Sequence, residues 1–185
     1  MILPVVAYGD IVLKKVSMDI DANYPELEVM IKNMWDTMYQ ARGVGLAAPQ
    51  IGKDIRVFII DSKLMFEEEE EHKGVKKVFI NPQITEEWGK KWAYEEGCLS
   101  IPGVLEDVIR LSNIRIEYLD ENFKKQVEEY DDLNARVIQH EFDHLEGILF
   151  TDHLKPLKRK LLSKQLTNIS KGFTNAKYKM RFPLK

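Results

Sequence analysis

His140-Glu141-Phe142-Asp143-His144 sets two imidazoles four residues apart, with a carboxylate directly after the first. On a helix, positions i and i+4 lie one turn apart on one face. Both rings can therefore converge on one divalent ion while Glu141 points beside it at a water molecule. That is the equipment of metal-assisted hydrolysis: a Lewis acid, a water and a general base. The plain alternative is a pair of hydrogen-bonded helix histidines. It is weakened because His140 continues the apolar stripe Leu133/Val137, where two unliganded imidazoles and a carboxylate would be costly to desolvate. A catalytic ion also needs a third protein ligand and an open position. His153, nine residues after His144, is the only later histidine. Cys98, the only cysteine, is the stronger candidate: in Glu95-Glu96-Gly97-Cys98-Leu99-Ser100 the glycine allows close backbone approach and leaves the sulfur free to act as a thiolate.

Such residues need a carrier. A helix is predicted over about 131–146, stopped by Gly147 as a left-handed C′ residue. It has two apolar stripes, Leu133/Val137 and Ala135/Ile138/Phe142/Leu145. Only a narrow polar stripe of Arg136, Gln139, Asp143 and Glu146 remains, as expected for a helix enclosed by the fold. An amphipathic helix is predicted over 24–40, with Leu27, Met30, Ile31, Met34, Trp35 and Met38 as a core stripe. A third opens at Pro156, is expected to bury Leu157, Leu161, Leu162, Leu166 and Ile169, and ends near Gly172. Short strands are predicted at 55–61, 76–81, 87–95 and 114–118, the last entering an antiparallel hairpin through Asp120-Glu121-Asn122. Strands followed by helices, without regular βαβ alternation, give an α+β class: antiparallel sheets around a central buried helix carrying H-E-x-x-H, plus a C-terminal helix. No internal repeat or Pro/Gly/Ser-rich linker divides the chain, so 1–185 is expected to form one domain.

Three segments in order, Gly43-Val44-Gly45-Leu46-Ala47-Ala48-Pro49-Gln50-Ile51-Gly52, Glu96-Gly97-Cys98-Leu99-Ser100 and Gln139-His140-Glu141-Phe142-Asp143-His144-Leu145-Glu146-Gly147, resemble the peptide deformylase family. The resemblance runs from Leu3-Pro4 to Leu149-Phe150 and fades in the tail. It implies that Cys98, His140 and His144 hold the metal, commonly Fe²⁺ with Zn²⁺, Ni²⁺ or Co²⁺ as substitutes, and that Glu141 is the general base. It also implies oxyanion donors in the Gln50 amide and the Leu99 N–H. Val44, Tyr94, Leu133 and Val137 would line a methionine pocket, with Gly45 and Gly97 beside the substrate backbone, and Glu96 with Arg110 would brace the Cys98 segment. The implied substrate is the N-formylmethionyl nascent peptide, cleaved to formate and a free amine. Two positions depart from the family pattern. Leu105 stands where some members carry an arginine, and Ile11 where a proline often follows Gly-Asp. Two other readings compete: a zincin-like metalloendopeptidase using His140, His144 and His153, and a non-catalytic peptide- or ribosome-binding module.

Composition sets the outer bounds. With 44% hydrophobic and 31% charged residues the chain reads as globular, and no apolar run approaches the ~20 residues of a membrane helix. The N-terminus lacks a basic n-region and a long apolar stretch, so a cytoplasmic address is expected and no membrane partner. A net charge of −3 argues against coating nucleic acid, and no specific DNA partner is expected. The charge is unevenly spread: 155–185 holds ten Lys or Arg and no acid, leaving seventeen basic against thirty acidic residues before it. The acid-free tail is a footprint for phosphate-rich partners, and in some family members a basic C-terminal helix contacts the ribosome. The run of five glutamates at 67–71 is expected to be a solvated, mobile loop.

Overall fold

The structure is a computed structural model that describes residues 1–183. In chain order it contains β1 (Val5–Val6), α1 (Leu27–Gln40), β2 (Gly45–Ala47), β3 (Val57–Asp61), β4 (Lys76–Cys98), β5 (Ile101–Leu119), β6 (Lys125–Asp131), α2 (Asp132–Leu145), α3 (Pro156–Ser170) and β7 (Met180–Arg181). An antiparallel sheet runs β2-β3-β4-β5-β6, and a small parallel pair joins β1 to β7. The α+β class read from the sequence is the one observed, and the motif helix α2 lies inside it.

The strands at its centre are longer than predicted. The strands predicted at 76–81 and 87–95 are one: β4 passes through Asn81-Pro82 and Gly89, with register shifts against β5 at 80/83, 84/86 and 88/91. Asn81 and Gly89 take the left-handed conformation there (φ 49° and 89°), so the strand bends at bulges instead of ending. Likewise β5 begins at Ile101, well before the alternating run at 114–118. Its far end pairs with β6 as the expected hairpin, Leu119 opposite Lys125. β3, buried along its whole length, matches a continuous apolar run.

Helix α1 starts at Leu27, three residues later than predicted. Pro25 disfavours helix at Tyr24, and Glu26 is left-handed (φ 55°). Its Leu27, Met30, Ile31, Met34 and Met38 pack against Leu46, Val57 and Ile59. Trp35 is half-buried at the edge, stacked on Tyr39 at 5.9 Å. α2 packs Ala135, Val137, Ile138 and Leu145 against Phe58, Phe79 and Ile114. The polar stripe expected along it is not at the surface: Arg136 and Gln139 are 2% and 3% exposed, which obliges the fold to supply buried partners. α3 buries only Leu166 and Ile169 fully. Leu157 and Leu161 are 71% and 73% exposed, because the first two turns extend past the body that covers the later ones. The glutamate run forms an exposed 3₁₀ segment, Glu68–Lys73, with Lys73 paired to Glu70, rather than an irregular loop. Leu184 and Lys185, the end of the basic tail, lie outside the described residues.

Gly147 terminates α2 as expected. Ile148 N–H bonds back to Asp143 O at 2.9 Å, the six-to-one bond of a Schellman motif, with Gly147 at φ +70°. A Cβ there would meet the Lys14 carbonyl at 2.7 Å. Gly147→Ala therefore combines left-handed strain with a backbone clash and should cost about 1–3 kcal/mol, read as a lower thermal midpoint.

Candidate active site

Helix periodicity brings His140 and His144 onto one face of α2, with ring centroids 5.2 Å apart and planes at 81°. Cys98 reaches them from the last residue of β4, where a two-residue turn, Leu99-Ser100, leads into β5 and Cys98 pairs with Ile101. Ligand atoms of Cys98, His140 and His144 all lie within 4.8 Å of one another. Cys98 Sγ is 3.3 Å from His144 Nε2. Gln50, in the 3₁₀ turn after β2, is 1% exposed. Its Oε1 accepts from Ala47 N–H at 2.8 Å, which fixes the amide so that Nε2 faces Cys98 Sγ at 3.3 Å and Ser100 Oγ at 3.4 Å. Glu141 sits against Gly45, where an added Cβ would come within 2.8 Å of the Glu141 Cγ. Glycine at 45 is what leaves room for the carboxylate.

Behind the cluster lies a buried ionic network. The His140 Nδ1 donates to Glu96 Oε2 at 2.9 Å, fixing the ring so that Nε2 turns toward the cluster. Glu96 also accepts from Arg110 Nε at 2.7 Å and Nη2 at 3.0 Å, and from Arg136 Nη1 at 2.9 Å. Arg110 continues to Asp143 at 2.7 Å. Arg136 also donates to the carbonyls of Val108 and Trp92 and lies over the Trp92 ring, 4.5 Å from its centroid. The family resemblance pointed to Glu96 with Arg110. Arg136 and Asp143 were missed, although charged residues on an enclosed helix are themselves a signal that buried partners exist.

Electrostatics set the proton states. Burial alone would raise the Glu96 pKa, but the bonds from His140 and Arg110 outweigh it and hold the carboxyl well below the usual range. Burial pushes Glu141 up to about 7. Burial also pushes His144 well down, leaving a neutral imidazole fit to be a ligand. Glu141 Oε2 and His144 Nδ1 are buried with no hydrogen-bond partner among the described residues. One cysteine sulfur, two imidazoles and a carboxylate oxygen unpartnered among the described residues, at one place, fit a divalent ion with an open position for water.

The site opens into a cavity of about 740 Å³. Val44, Gly45, Tyr94, Gly97, Leu99 and Val137 line it, together with Gln50, Cys98, His140 and Glu141. Leu133 is half-buried and is not among the lining residues. Leu105 lines the rim and is 61% exposed. His153 lies outside the ligand cluster and donates to Asp143 Oδ2 at 2.7 Å. The zincin-like ligand set is therefore not assembled.

The polypeptide deformylase sequence profile matches residues 2–160. The chain belongs to the peptide deformylase family. A curated peptide deformylase from Christiangramia forsetii is 60% identical, over 99% of this chain and 97% of its own. That from Cytophaga hutchinsonii is 55% identical over the whole of both chains. Among solved structures, the Thermus thermophilus peptide deformylase superposes with a TM-score of 0.82 at 36% identity, covering 93% of this chain and 99% of that one. The family places the chain among metal-dependent hydrolases that remove the N-formyl group from formylmethionyl nascent peptides, and the non-catalytic and endopeptidase readings are not favoured. No helix among the described residues is long and apolar enough to cross a membrane.

Glu96→Ala would leave Arg110 and Arg136 buried without their shared anion. It should destabilise the protein by about 3–5 kcal/mol in urea unfolding, the cost of breaking a buried ion pair from one side.

Proposed function

We propose that the cavity carries out deformylation with Cys98, His140 and His144 as the metal ligands, Glu141 as general base, and Gln50 Nε2 with the Leu99 N–H as donors to the developing oxyanion. The observation that carries this reading is the buried, unpartnered Glu141 carboxylate beside three converging ligand atoms in one substrate-sized cavity. A divalent ion bound there supplies Lewis acidity toward water and the formyl oxygen. Thiolate and imidazole donors accept several first-row ions. We take Fe²⁺ as the native one, with Zn²⁺, Ni²⁺ and Co²⁺ as substitutes, which metal analysis of anaerobically purified protein would decide.

Glu141 takes the proton of the attacking water at its free oxygen. A carboxyl titrating near 7 can then return that proton to the leaving amine, giving formate and a free N-terminus. The Gln50 amide is preorganised by Ala47 N–H and so donates without reorganising as negative charge develops on the formyl oxygen. Val44, Tyr94 and Val137 give the apolar walls suited to an unbranched thioether side chain. Gly45 and Gly97 leave backbone open for an extended peptide to lie alongside.

The chain acts, in this reading, as one cytoplasmic domain on peptides emerging from the ribosome. Its acid-free tail supplies the attraction: α3 leads with Lys158, Arg159 and Lys160 and leaves Leu157 and Leu161 exposed beside them. Co-sedimentation with ribosomes should weaken steeply as salt rises, and salt-insensitive association would count against it.

Glu141→Gln should lower kcat on formyl-Met-Ala-Ser by about 10²–10⁴-fold while metal content stays at the wild-type level. Cys98→Ala should lose the metal itself. Removing the ion with a chelator should abolish formate release and lower the thermal midpoint, because an ion bound only by the folded state stabilises it.

A further inference from the structure

The family profile ends at residue 160, yet the tail beyond it returns to the active site: Phe173, Asn175, Lys177 and Tyr178 line the same cavity as Glu141. The contact that matters is Tyr178, whose hydroxyl donates to the Leu99 carbonyl at 2.7 Å. The structure assigns Tyr178 as a positioning residue that aims the Leu99 N–H, an inference that rests on the deformylase reading above.

Leu99 and Ser100 form the two-residue turn between Cys98 and Ile101. Both turn carbonyls are held from outside the hairpin: Leu99 O by Tyr178, and Ser100 O by the Tyr8 N–H at 2.8 Å. The Leu99 N–H and C=O belong to adjacent peptide planes that pivot at one Cα. Pinning the carbonyl plane narrows the Leu99 φ/ψ range and with it the direction of the N–H. An oxyanion donor is effective in proportion to how well it is preorganised. Tyr178 is itself held in place. Two residues on, Met180 and Arg181 pair with Val5 and Val6, the Val5 N–H bonds to Lys179 O at 2.9 Å, and Arg181 reaches Asp10 at 3.5 Å. On the other side, the segment leaves α3 at Gly172 (φ +89°). The tail thus ties the N-terminal strand to the turn that carries a catalytic donor.

Tyr178→Phe keeps the ring and removes only the hydroxyl. Two measurements on the full chain loaded with Zn²⁺ test the assignment. In ¹⁵N relaxation, the Leu99 amide order parameter should fall in the variant while that of Ile114 in β5 stays unchanged; an unchanged Leu99 overturns the assignment. In turnover of formyl-Met-Ala-Ser, kcat should drop about three- to tenfold, the scale of one hydrogen bond, with KM and metal content unchanged and the melting temperature lowered by only about 2–4 °C. An unchanged kcat, or a kcat that falls together with metal content, overturns it too. If the wild type hydrolyses no formyl peptide, the deformylase reading fails, while the relaxation measurement still decides whether Tyr178 holds the turn.

Discussion

Glu96 accepts hydrogen bonds from Arg110 on β5 and from Arg136 and His140 on α2, so one buried carboxylate ties the Cys98-bearing strand to its neighbour and to the helix that carries both histidines. The arrangement is expensive to assemble, since each ion loses its hydration. It persists because both guanidinium groups find further partners: Arg136 also donates to two carbonyls, and Arg110 also binds Asp143. The return is positional. With His140 Nδ1 committed to Glu96, the ring has one tautomer and one orientation to offer a ligand, and Cys98, two residues beyond Glu96, cannot move independently of it.

This constraint explains why the site is built on long regular elements rather than loops. The β4–β5 hairpin carries Glu96 and Arg110 in its body and Cys98 and Leu99 at its tip, so ligand, donor and anchor share one rigid ladder. Bulges let that ladder bend past Asn81 and Gly89 without ending, which brings its tip onto α2. Two glycines do opposite jobs. Gly45 clears space for the Glu141 carboxylate, and Gly147 stops α2 one turn after Asp143, in time for the chain to pass Lys14.

What could be read from the sequence follows from the range of each interaction. His140, Glu141 and His144 are legible because a helix converts a spacing of four directly into a shared face. The α+β class and the enclosure of α2 follow from hydrophobic period in the same way. Cys98 stands out by being single and following a glycine, and Gln50 and Leu99 came from resemblance alone. The network around Glu96 was half visible, since Arg136 meets Glu96, and Asp143 meets Arg110, only through pairings across β4, β5 and α2 that no local pattern encodes. The length of β4 was hidden at Pro82, which marks a bulge as readily as an end, so that one strand was read as two, 76–81 and 87–95. Leu157 and Leu161 carried the right helical spacing for burial, but periodicity says which residues share a face and not whether anything covers it. Leu133 shows the same limit from the other side: it shares the Val137 stripe without reaching the cavity.

The burial that fixes the ligands also sets the acid–base chemistry, and the two demands pull in different directions. A carboxylate enclosed at Gly45 and lacking a partner at Oε2 costs stability, because desolvation favours its neutral form. Had Glu141 been paired like Glu96, it would be as firmly ionised as Glu96 and useless as a donor to a leaving amine. Two glutamates on either side of His140 are therefore separated in role by their surroundings: three N–H donors hold Glu96 as an anion, while burial, with no partner for Oε2 among the described residues, pushes Glu141 up to about 7. The paired glutamate supplies the rigidity that allows the unpaired one to remain unpaired in the core.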